Sequence, residues 1–460
     1  MIHSHSDDKA FLANDPLGSL LLRLALPTVA AQLINMLYNI VDRIYIGHIP
    51  DHGAMALTGV GVCLPLIMIV SSFAALVGNG GAPRATIAMG QGNKEKAEEI
   101  LGNCFALQIV ISVVLTLILF WGDRAFLLAF GASANTIDYA VVYMDIYAVG
   151  TLFVQITLGM NAFITAQGFA KEGMLSVLIG ALANIVLDPV FIFLFGMGVR
   201  GAALATILSQ ALSCIWVLAF LFGKRTFLRL RKETIRLSPA VLFPCVALGA
   251  ATFIMQASES VISVAFNSSL LQYGGDLAVG AMTILSSVMQ FAMLPLQGLG
   301  QGAQPIISYN YGAGKRDRVK KAYFLLLRAS LFYSCLLWAL VELFPQAFAS
   351  LFTNDAELVV YTGHALRLYV AALFLFGIQM ACQMAFTSLG KAKQSILVAV
   401  MRKFILLLPL IYLMPMLFRD DQARAVYLAE PVADTLAVTF TSVLFFFSFR
   451  KVLRQMDQTS

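Results

Sequence analysis

Twelve times along the chain, roughly 20 apolar residues follow one another with few charges, and each run is long enough to cross a bilayer as a helix. A backbone in hydrocarbon has no water to bond to, so such runs must close their own hydrogen bonds as membrane-spanning α-helices. The runs fall at about 20–47, 54–77, 99–121, 139–165, 173–196, 201–222, 239–268, 276–299, 322–344, 361–387, 394–418 and 428–449. Only 12% of residues are charged, half the roughly 25% of soluble domains. The net charge of +6 sits in short loops between the runs, which fits membrane topology and excludes nucleic acid as the partner. The fold class is an all-α polytopic membrane protein of 12 spans whose surroundings are the lipid bilayer.

An even number of spans puts both termini on one side. Most lysines and arginines lie in the tails and in the loops after the even-numbered spans, whereas the opposite loops hold only Arg124, Arg200, Arg419 and Arg424. By the positive-inside rule both termini are expected in the cytoplasm, with the protein in the cell membrane. The first 16 residues lack the basic-then-apolar pattern of a signal peptide, so the N-terminus is expected to be retained. Six cysteines fall within spans at no metal-ligand spacing and read as free thiols. The chain has neither an HExxH motif nor a nucleotide-binding G-x-x-x-x-G-K-[S/T] loop, so it needs no ATP and no cofactor, and no structural metal site is expected. A transporter of this composition is driven by an ion gradient. An intramembrane enzyme would need a nucleophile–base pair or metal ligands within the spans, and the spans contain neither.

The chain divides at "GKRTFLRLRKETIRLS", residues 223–238, into an N-lobe (1–222) and a C-lobe (239–460) of six spans each. The linker reads either as a basic amphipathic helix on the membrane surface or as a plain cytoplasmic connector. The lobes repeat: "GNGGAPRATIAMGQGNKEKA" at 78–97 matches "GLGQGAQPIISYNYGAGKRDRVKKA" from 298 at a constant offset of 222. Gly78, Gly80, Pro83, Gly90 and Gly92 fall on Gly300, Gly302, Pro305, Gly312 and Gly314, and basic residues follow each copy. Both copies follow the second span of their lobe, so the lobes are parallel repeats about an axis along the membrane normal. The Gly-rich segments are expected to be loops with an architectural role.

A carboxylate at the centre of a membrane helix costs roughly 2.5–3.5 kcal/mol on insertion scales, so each one needs a reason. Span 1 carries Gln32, Asn35, Asn39 and Asp42 at spacings of 3, 4 and 3, one helical face. In span 5, Asn184 and Asp188 lie one turn apart, and Pro189 frees a carbonyl oxygen beside them. Such oxygen-rich sites suit a proton or a hard cation such as Na+. The alternatives are that Asp188 satisfies the disrupted backbone of a kink and that Asp42 bonds between helices.

The paired Gly-rich segments, the "NxxxDP" of span 5 and the "AEPVADTLA" of span 12 resemble the MATE (multidrug and toxic compound extrusion) exporters. The short loops and "VDRIYIG" of span 1 resemble their bacterial DinF-like and MepA-like branches. The resemblance implies a V-shaped pair of six-helix bundles around a central cavity. It also implies export of amphiphilic, often cationic compounds in exchange for H+ or Na+. It further implies an N-lobe ion cluster at Asp42, Tyr143, Asn184, Asp188 and Thr206, with Na+ possible at Asp42 and Asp188. Tyr147 competes with Tyr143 for that place, Tyr143 also reads as aromatic packing, and Thr206 also reads as bonding its own helix. Two nearby carboxylates in low dielectric cannot both ionise cheaply, so proton or Na+ uptake changes the packing of the kinked helices. One charge moving through about 100 mV supplies roughly 2.3 kcal/mol, enough for about a 50-fold gradient.

In the second half, span 7 carries Gln256, Glu259, Ser260, Ser263 and Asn267 on one face. Glu259 resembles the C-lobe glutamate of the NorM-like branch, but residues 361–387 contain no acid to complete that branch's pair, only Gln379 and Gln383. Glu259 is therefore expected to face the cavity and attract cationic substrates, or else to bond between helices. Gln32, Asn35, Gln256, Gln290, Met293, Gln379 and Gln383 complete the expected cavity lining, with Met289, Met380 and Met384 as adaptable apolar wall or plain packing. Glu430 and Asp434, near the outer end of span 12, read as hydrated and as weaker candidates, and several of the few intramembrane bases, Arg43, Arg328, Arg367, Arg402 and Lys403, are expected to snorkel. The chain is expected to act as a monomer. The rival reading is a lipid-linked sugar flippase, which would line its cavity with arginines for a pyrophosphate.

Overall fold

A computed structural model describes residues 11–459, so residues 1–10, with most of the N-terminal tail, lie outside the described residues. The described chain is helical throughout and has no strand. Spans 1 to 6 are Leu17–Gly47, Gly53–Gly90, Lys94–Ala129, Ile137–Ala166, Ala170–Leu194 and Val199–Phe222. A 74-residue element, Pro239–Gly312, follows. As one helix it would be about 110 Å long, over three times a bilayer core. It breaks at Gly275, whose φ of 66° and ψ of −162° are open only to glycine. Spans 7 and 8 are thus its two parts, before and after Gly275. Span 9 is Arg316–Leu343; span 10 is Ala356–Tyr369 plus Leu373–Ser388, bent by 50°; spans 11 and 12 are Ala392–Leu417 and Gln422–Thr459. Several helices outrun their apolar stretches, spans 2 and 12 most, because hydropathy marks the part in lipid while the backbone ladder continues into the headgroups.

The Gly-rich segments are not loops. Residues 78–90 and 298–312 are the last turns of spans 2 and 8, and the chain turns only after Gly90 and Gly312. Glycine and proline are poor helix formers in isolation, but here close packing decides, as in membrane bundles generally. A Cβ on Gly80 would strike the Cys245 carbonyl oxygen and lie 2.7 Å from the Gly249 nitrogen. One on Gly302 would lie 2.5 Å from the Ala25 Cα. A Cβ on Gly90 would strike the Tyr309 carbonyl, and one on Gly312 the Ile87 carbonyl. Ile87 and Tyr309 are themselves 222 residues apart. The sequence offset is therefore a spatial pseudo-two-fold, and two of the matched pairs, Gly80/Gly302 and Gly90/Gly312, are where the lobes touch, whereas Gly78 and Gly300 pack within their own lobes. Thr28 adds a hydrogen bond to the Gly298 carbonyl (2.6 Å), and Gln32 one to Gln301 (3.2 Å), across the same seam.

Four apolar core clusters lie in the bundle, two centred on each lobe, and the two beside the glycine seam take in residues of the opposite lobe, Leu20 and Leu24 in one and Val241 and Cys245 in the other. In the N-lobe one surrounds Phe163 and Leu101, the other Met144 and Ile192; in the C-lobe one surrounds Phe386 and Phe445, the other Phe266 and Tyr427.

The linker is not an amphipathic helix; it is a connector that packs against the N-lobe. It runs along the N-lobe with a single 3-10 turn at Lys232–Thr234. Leu228 and Leu230 are buried, Gln167 accepts from the Leu228 N–H (2.8 Å), and Asn103 accepts from the Ser238 N–H (2.7 Å). Buried Glu98 accepts from the Arg229 N–H (3.2 Å) and pairs with Arg231 (3.0 Å). Charge could not form a helix here because the segment's apolar residues point down into the lobe, leaving no membrane-facing stripe. Glu98→Ala is expected to loosen the strap by about 1–3 kcal/mol, read as several-fold faster tryptic cleavage within 224–236 while span packing is kept.

Candidate functional site

Span 5 is ordinary helix as far as Pro189 and becomes a π-helical turn over Val190–Leu194. Proline has no N–H for the preceding turn, and the wider turn absorbs the mismatch; such turns recur at functional sites. Asp188 is placed on the last regular turn, 0% exposed. Asn184 on the same face donates from Nδ2 to its Oδ1 (3.3 Å). From span 1, Asp42 (9% exposed) brings its carboxyl within hydrogen-bonding reach of Asp188. Both residues lie toward the ends of their spans, away from the glycine seam. Two carboxyls face each other with no base bonded to either; Arg43, exposed and next to Asp42 in sequence, acts on it only through its charge.

Tyr143 is buried near Asp42, within hydrogen-bonding reach of Thr206, and stacks on Tyr147 with ring centroids 6.4 Å apart. Thr206 also bonds its own helix at the Ala202 carbonyl (3.0 Å). Its hydroxyl proton is engaged there, so an oxygen lone pair is what it offers the site. Five expected residues, Asp42, Tyr143, Asn184, Asp188 and Thr206, are thus brought together from four spans. Asn39 stands one step removed: exposed, it donates to the Asn35 carbonyl (2.6 Å) and touches Tyr38.

Two further members escaped the sequence reading. Tyr38, one turn before Asp42, lies between Asp42 and Asp188 on one side and Gln210 on the other. Gln210 lies one turn after Thr206. The same i, i+4 rows that joined Asn184 to Asp188 could have found both. Asn35, Tyr38, Asn184, Thr206 and Gln210 line a narrow cavity of about 30 Å³, room for one water or one bare cation.

The defining feature is an excess of acceptors. Asp42 Oδ1, Asn184 Oδ1, Asp188 Oδ2 and Gln210 Oε1 are buried oxygens with no hydrogen-bond partner among the described residues. Buried polar atoms without a partner call for an explanation. Others are scattered through both lobes, such as Gln108 Oε1 and Thr441 Oγ1; what sets these four apart is that they come from residues gathered at one place, two of them carboxylates. Asn184 and Gln210 border the narrow cavity, while Asp42 and Asp188 are not part of its lining; the four oxygens together offer lone pairs and no hydrogen-bonded positive charge. A proton shared by the carboxyls, or Na+ among the oxygens, supplies what is missing.

The C-lobe is built on the opposite plan. Span 11 also carries a π-turn, Met401–Leu407, beside Pro409, and this one holds bases. Arg402 and Lys403 do not snorkel; both are buried. Arg402 donates to Asp434 (2.8 Å) and Glu430 (3.1 Å) and lies over the Phe376 ring. Glu430 and Asp434 are accordingly buried and paired, not hydrated. Glu259 is exposed as expected, along with Gln256 and Gln290, but its carboxylate is bonded to the Lys403 ammonium. It is not a lone anion for attracting cations. Sequence reading missed these pairs because their members are 144 and about 30 residues apart.

Of the remaining expected lining, Gln383 is buried and bonds Ser395 Oγ (2.8 Å), and Gln379 is buried inside the C-lobe. Gln383 joins spans 10 and 11, and neither residue is exposed toward the cavity. Gln32 belongs to the lobe seam. Met289, Met293 and Met380 pack against the C-lobe core, and Met384 packs on Gly300.

The MatE family model matches residues 27–190 and 251–413, one copy in each lobe. Among curated relatives, a multidrug export protein MepA of Staphylococcus haemolyticus is 24% identical over 424 residues, covering 91% of this chain and 92% of its own. An FAD transporter of Shewanella oneidensis is 23% identical, covering 93% and 94%. A crystal structure of a MATE transporter in a bent conformation superposes with a TM-score of 0.91 at 22% identity, covering 99% of this chain and 100% of that one.

Proposed function

Because the chain belongs to the MatE family, whose MATE exporters share its fold, we propose that it is a secondary active exporter. In this reading it couples entry of H+ or Na+ to efflux of amphiphilic, often cationic compounds. The observation that carries the coupling is the set of four buried, unpartnered oxygens around Asp42 and Asp188. Such a set is favoured by a bound proton or cation, which removes or offsets one of the two carboxylate charges. With the charge gone, two carboxylates oppose each other in low dielectric, and their separation is the lowest-energy response. The Pro189 π-turn is the element able to yield, because its hydrogen-bond ladder is already interrupted. Movement there shifts spans 1 and 5 relative to the cavity, linking ion occupancy to cavity shape.

The glycine seam holds the lobes together on the side of the basic loops. With the termini cytoplasmic by the distribution of lysine and arginine, the arrangement is closed to the cytoplasm, and substrate leaves from the opposite face. The protein acts in the cell membrane as a monomer, since the cavity and the ion site both lie within one chain. Export of drug-like molecules is supported by the names of the MepA relatives. The flippase reading is disfavoured, because a pyrophosphate needs free bases and both buried bases, Arg402 and Lys403, are engaged by carboxylates.

The test is uphill uptake of a lipophilic cationic dye into inside-out vesicles, under a pH gradient alone and then a Na+ gradient alone. One of the two is expected to drive accumulation. If neither does, or if a lipid-linked sugar pyrophosphate competes for binding and the dye does not, the reading fails.

A further inference from the structure

The 222-residue offset carries the first turns of span 9 onto those of span 3, and the two faces have opposite charge. Where span 3 has Glu98, Glu99 and Gly102, span 9 has Lys320, Lys321 and Phe324. The span 3 face is covered by the linker. Glu98 pairs with Arg231 (3.0 Å) and Glu99 with Arg236 (2.8 Å), and Thr234 lies against Gly102. Asn103 accepts from the Ser238 N–H (2.7 Å), where span 7 begins. The span 9 face is open. Lys320, Lys321, Phe324, Leu325 and Arg328 line a groove of about 620 Å³, together with Leu17 and Gly18 from the start of span 1. A Cβ on Gly18 would meet nothing within 4 Å. The bases of this region fall into two sets. Lys315 and Arg318 donate to the carbonyls of Leu12, Ala13 and Asp15, and Arg316 pairs with Asp457 (3.2 Å), so these three hold the chain itself. Lys320, Lys321 and Arg328 are exposed and have no hydrogen-bond or ion-pair partner among the described residues. Asp317 is the one acid on the groove, so three bases face one carboxylate.

We propose that this groove binds an anionic phospholipid. Its phosphate takes Lys320, Lys321 and Arg328, and its acyl chains lie on Phe324, Leu325 and Leu17. Depth and charge together select this occupant. The apolar run of span 9 begins at about 322, so the two lysines stand at the membrane boundary. Arg328 starts seven residues beyond Lys321, about 10 Å deeper, and its long side chain reaches back toward the headgroups. Basic pockets between spanning helices are suited to anionic headgroups for this reason. A soluble anion would satisfy the bases and leave the apolar half of the groove uncovered. The other anions this chain offers are Asp7 and Asp8, but their neighbours are histidine, serine and lysine, which bring nothing apolar to Phe324 and Leu325. The bound lipid joins span 9 to the start of span 1, as the linker joins span 3 to the start of span 7. Each lobe is thus strapped once, one by the chain and one by the bilayer. The site does not depend on what the protein transports.

The experiment is native mass spectrometry of the purified full-length protein in detergent, titrated with phosphatidylglycerol and with phosphatidylcholine of the same acyl chains. Wild type is expected to hold phosphatidylglycerol in preference to phosphatidylcholine. In Lys320→Gln/Lys321→Gln/Arg328→Gln the affinity ratio of the two lipids falls roughly 100-fold, about fivefold for each base lost. All three residues are exposed, so the variant is expected to fold. Arg450→Gln/Lys451→Gln/Arg454→Gln removes three exposed bases from the same side of the protein and leaves the ratio unchanged. Glycerol phosphate, which has the phosphate and no chains, does not compete. Equal affinity of wild type for the two lipids overturns the proposal. So does an unchanged ratio in the groove variant, an equal fall in the control variant, or competition by glycerol phosphate. Selectivity that emerges only in Asp7→Asn/Asp8→Asn would give the groove to the chain's own carboxylates and overturn it as well.

Discussion

Asp188→Asn is expected to reduce the substrate gradient the protein can maintain from about 50-fold, where the coupling ion's gradient supplies roughly 2.3 kcal/mol, to none. The substitution is nearly isosteric at a position with no exposed surface, and the asparagine oxygen still accepts from Asn184 Nδ2. What disappears is the second carboxylate, and with it the site's ability to hold a proton or Na+ in one state and lose it in another. Downhill exchange of substrate should survive, because it needs cavity movement and no coupled ion. The variant should also be at least as heat-stable as wild type, since a buried carboxylate without a base is replaced by a neutral amide. Those two readouts separate loss of coupling from misfolding. Uphill transport persisting in a stable Asp188→Asn protein would remove the N-lobe site from the mechanism.

Gly80→Leu should have the second large effect, on the lobes instead of the ion. The Cβ alone meets the Cys245 carbonyl and the Gly249 nitrogen, and both belong to a spanning helix that cannot retreat locally. Overpacking of this kind costs typically about 1–3 kcal/mol, and separating the lobes at the seam is the available relief. Export is expected to be lost because the closed arrangement toward the basic loops can no longer form. Spin labels at Lys94 and Lys315, which begin and precede the helices after the two motifs, should show a longer and broader distance than in wild type. Gly302→Leu should act alike through Ala25, as the pseudo-two-fold requires. An unchanged distance with intact export would mean the seam plays no part in the transport cycle.

The twelve spans and the 222-residue repeat were legible in sequence because each rests on a local signal: unbroken apolarity, or glycine and proline in one register. The Asp42, Asn184 and Asp188 row was legible for a related reason, since carboxylates in apolar runs are rare enough to stand out. Tyr38 and Gln210 did not stand out, although they follow the same helical rows, because a tyrosine and a glutamine pass as packing and surface. The Gly-rich segments read as loops because propensity describes an isolated helix, whereas these helices are decided by the neighbour they touch. The C-lobe pairs were out of reach altogether. Whether Arg402 and Lys403 extend to the headgroups or fold inward depends on Glu259, Glu430 and Asp434, contributed by two other spans, and the chain alone does not show which spans meet.

The central claim is that substrate and ion act on one another through the Asp42–Asp188 pair. It is tested most directly by adding a saturating cationic substrate to the purified protein in weakly buffered solution. The released ion is then counted, with a pH dye for protons and isotope exchange for Na+. The account predicts release of about one proton or one Na+ per protein in the wild type and none in Asp188→Asn or Asp42→Asn. Wild-type protein that binds substrate without releasing either ion, or variants that release as much as wild type, would contradict it.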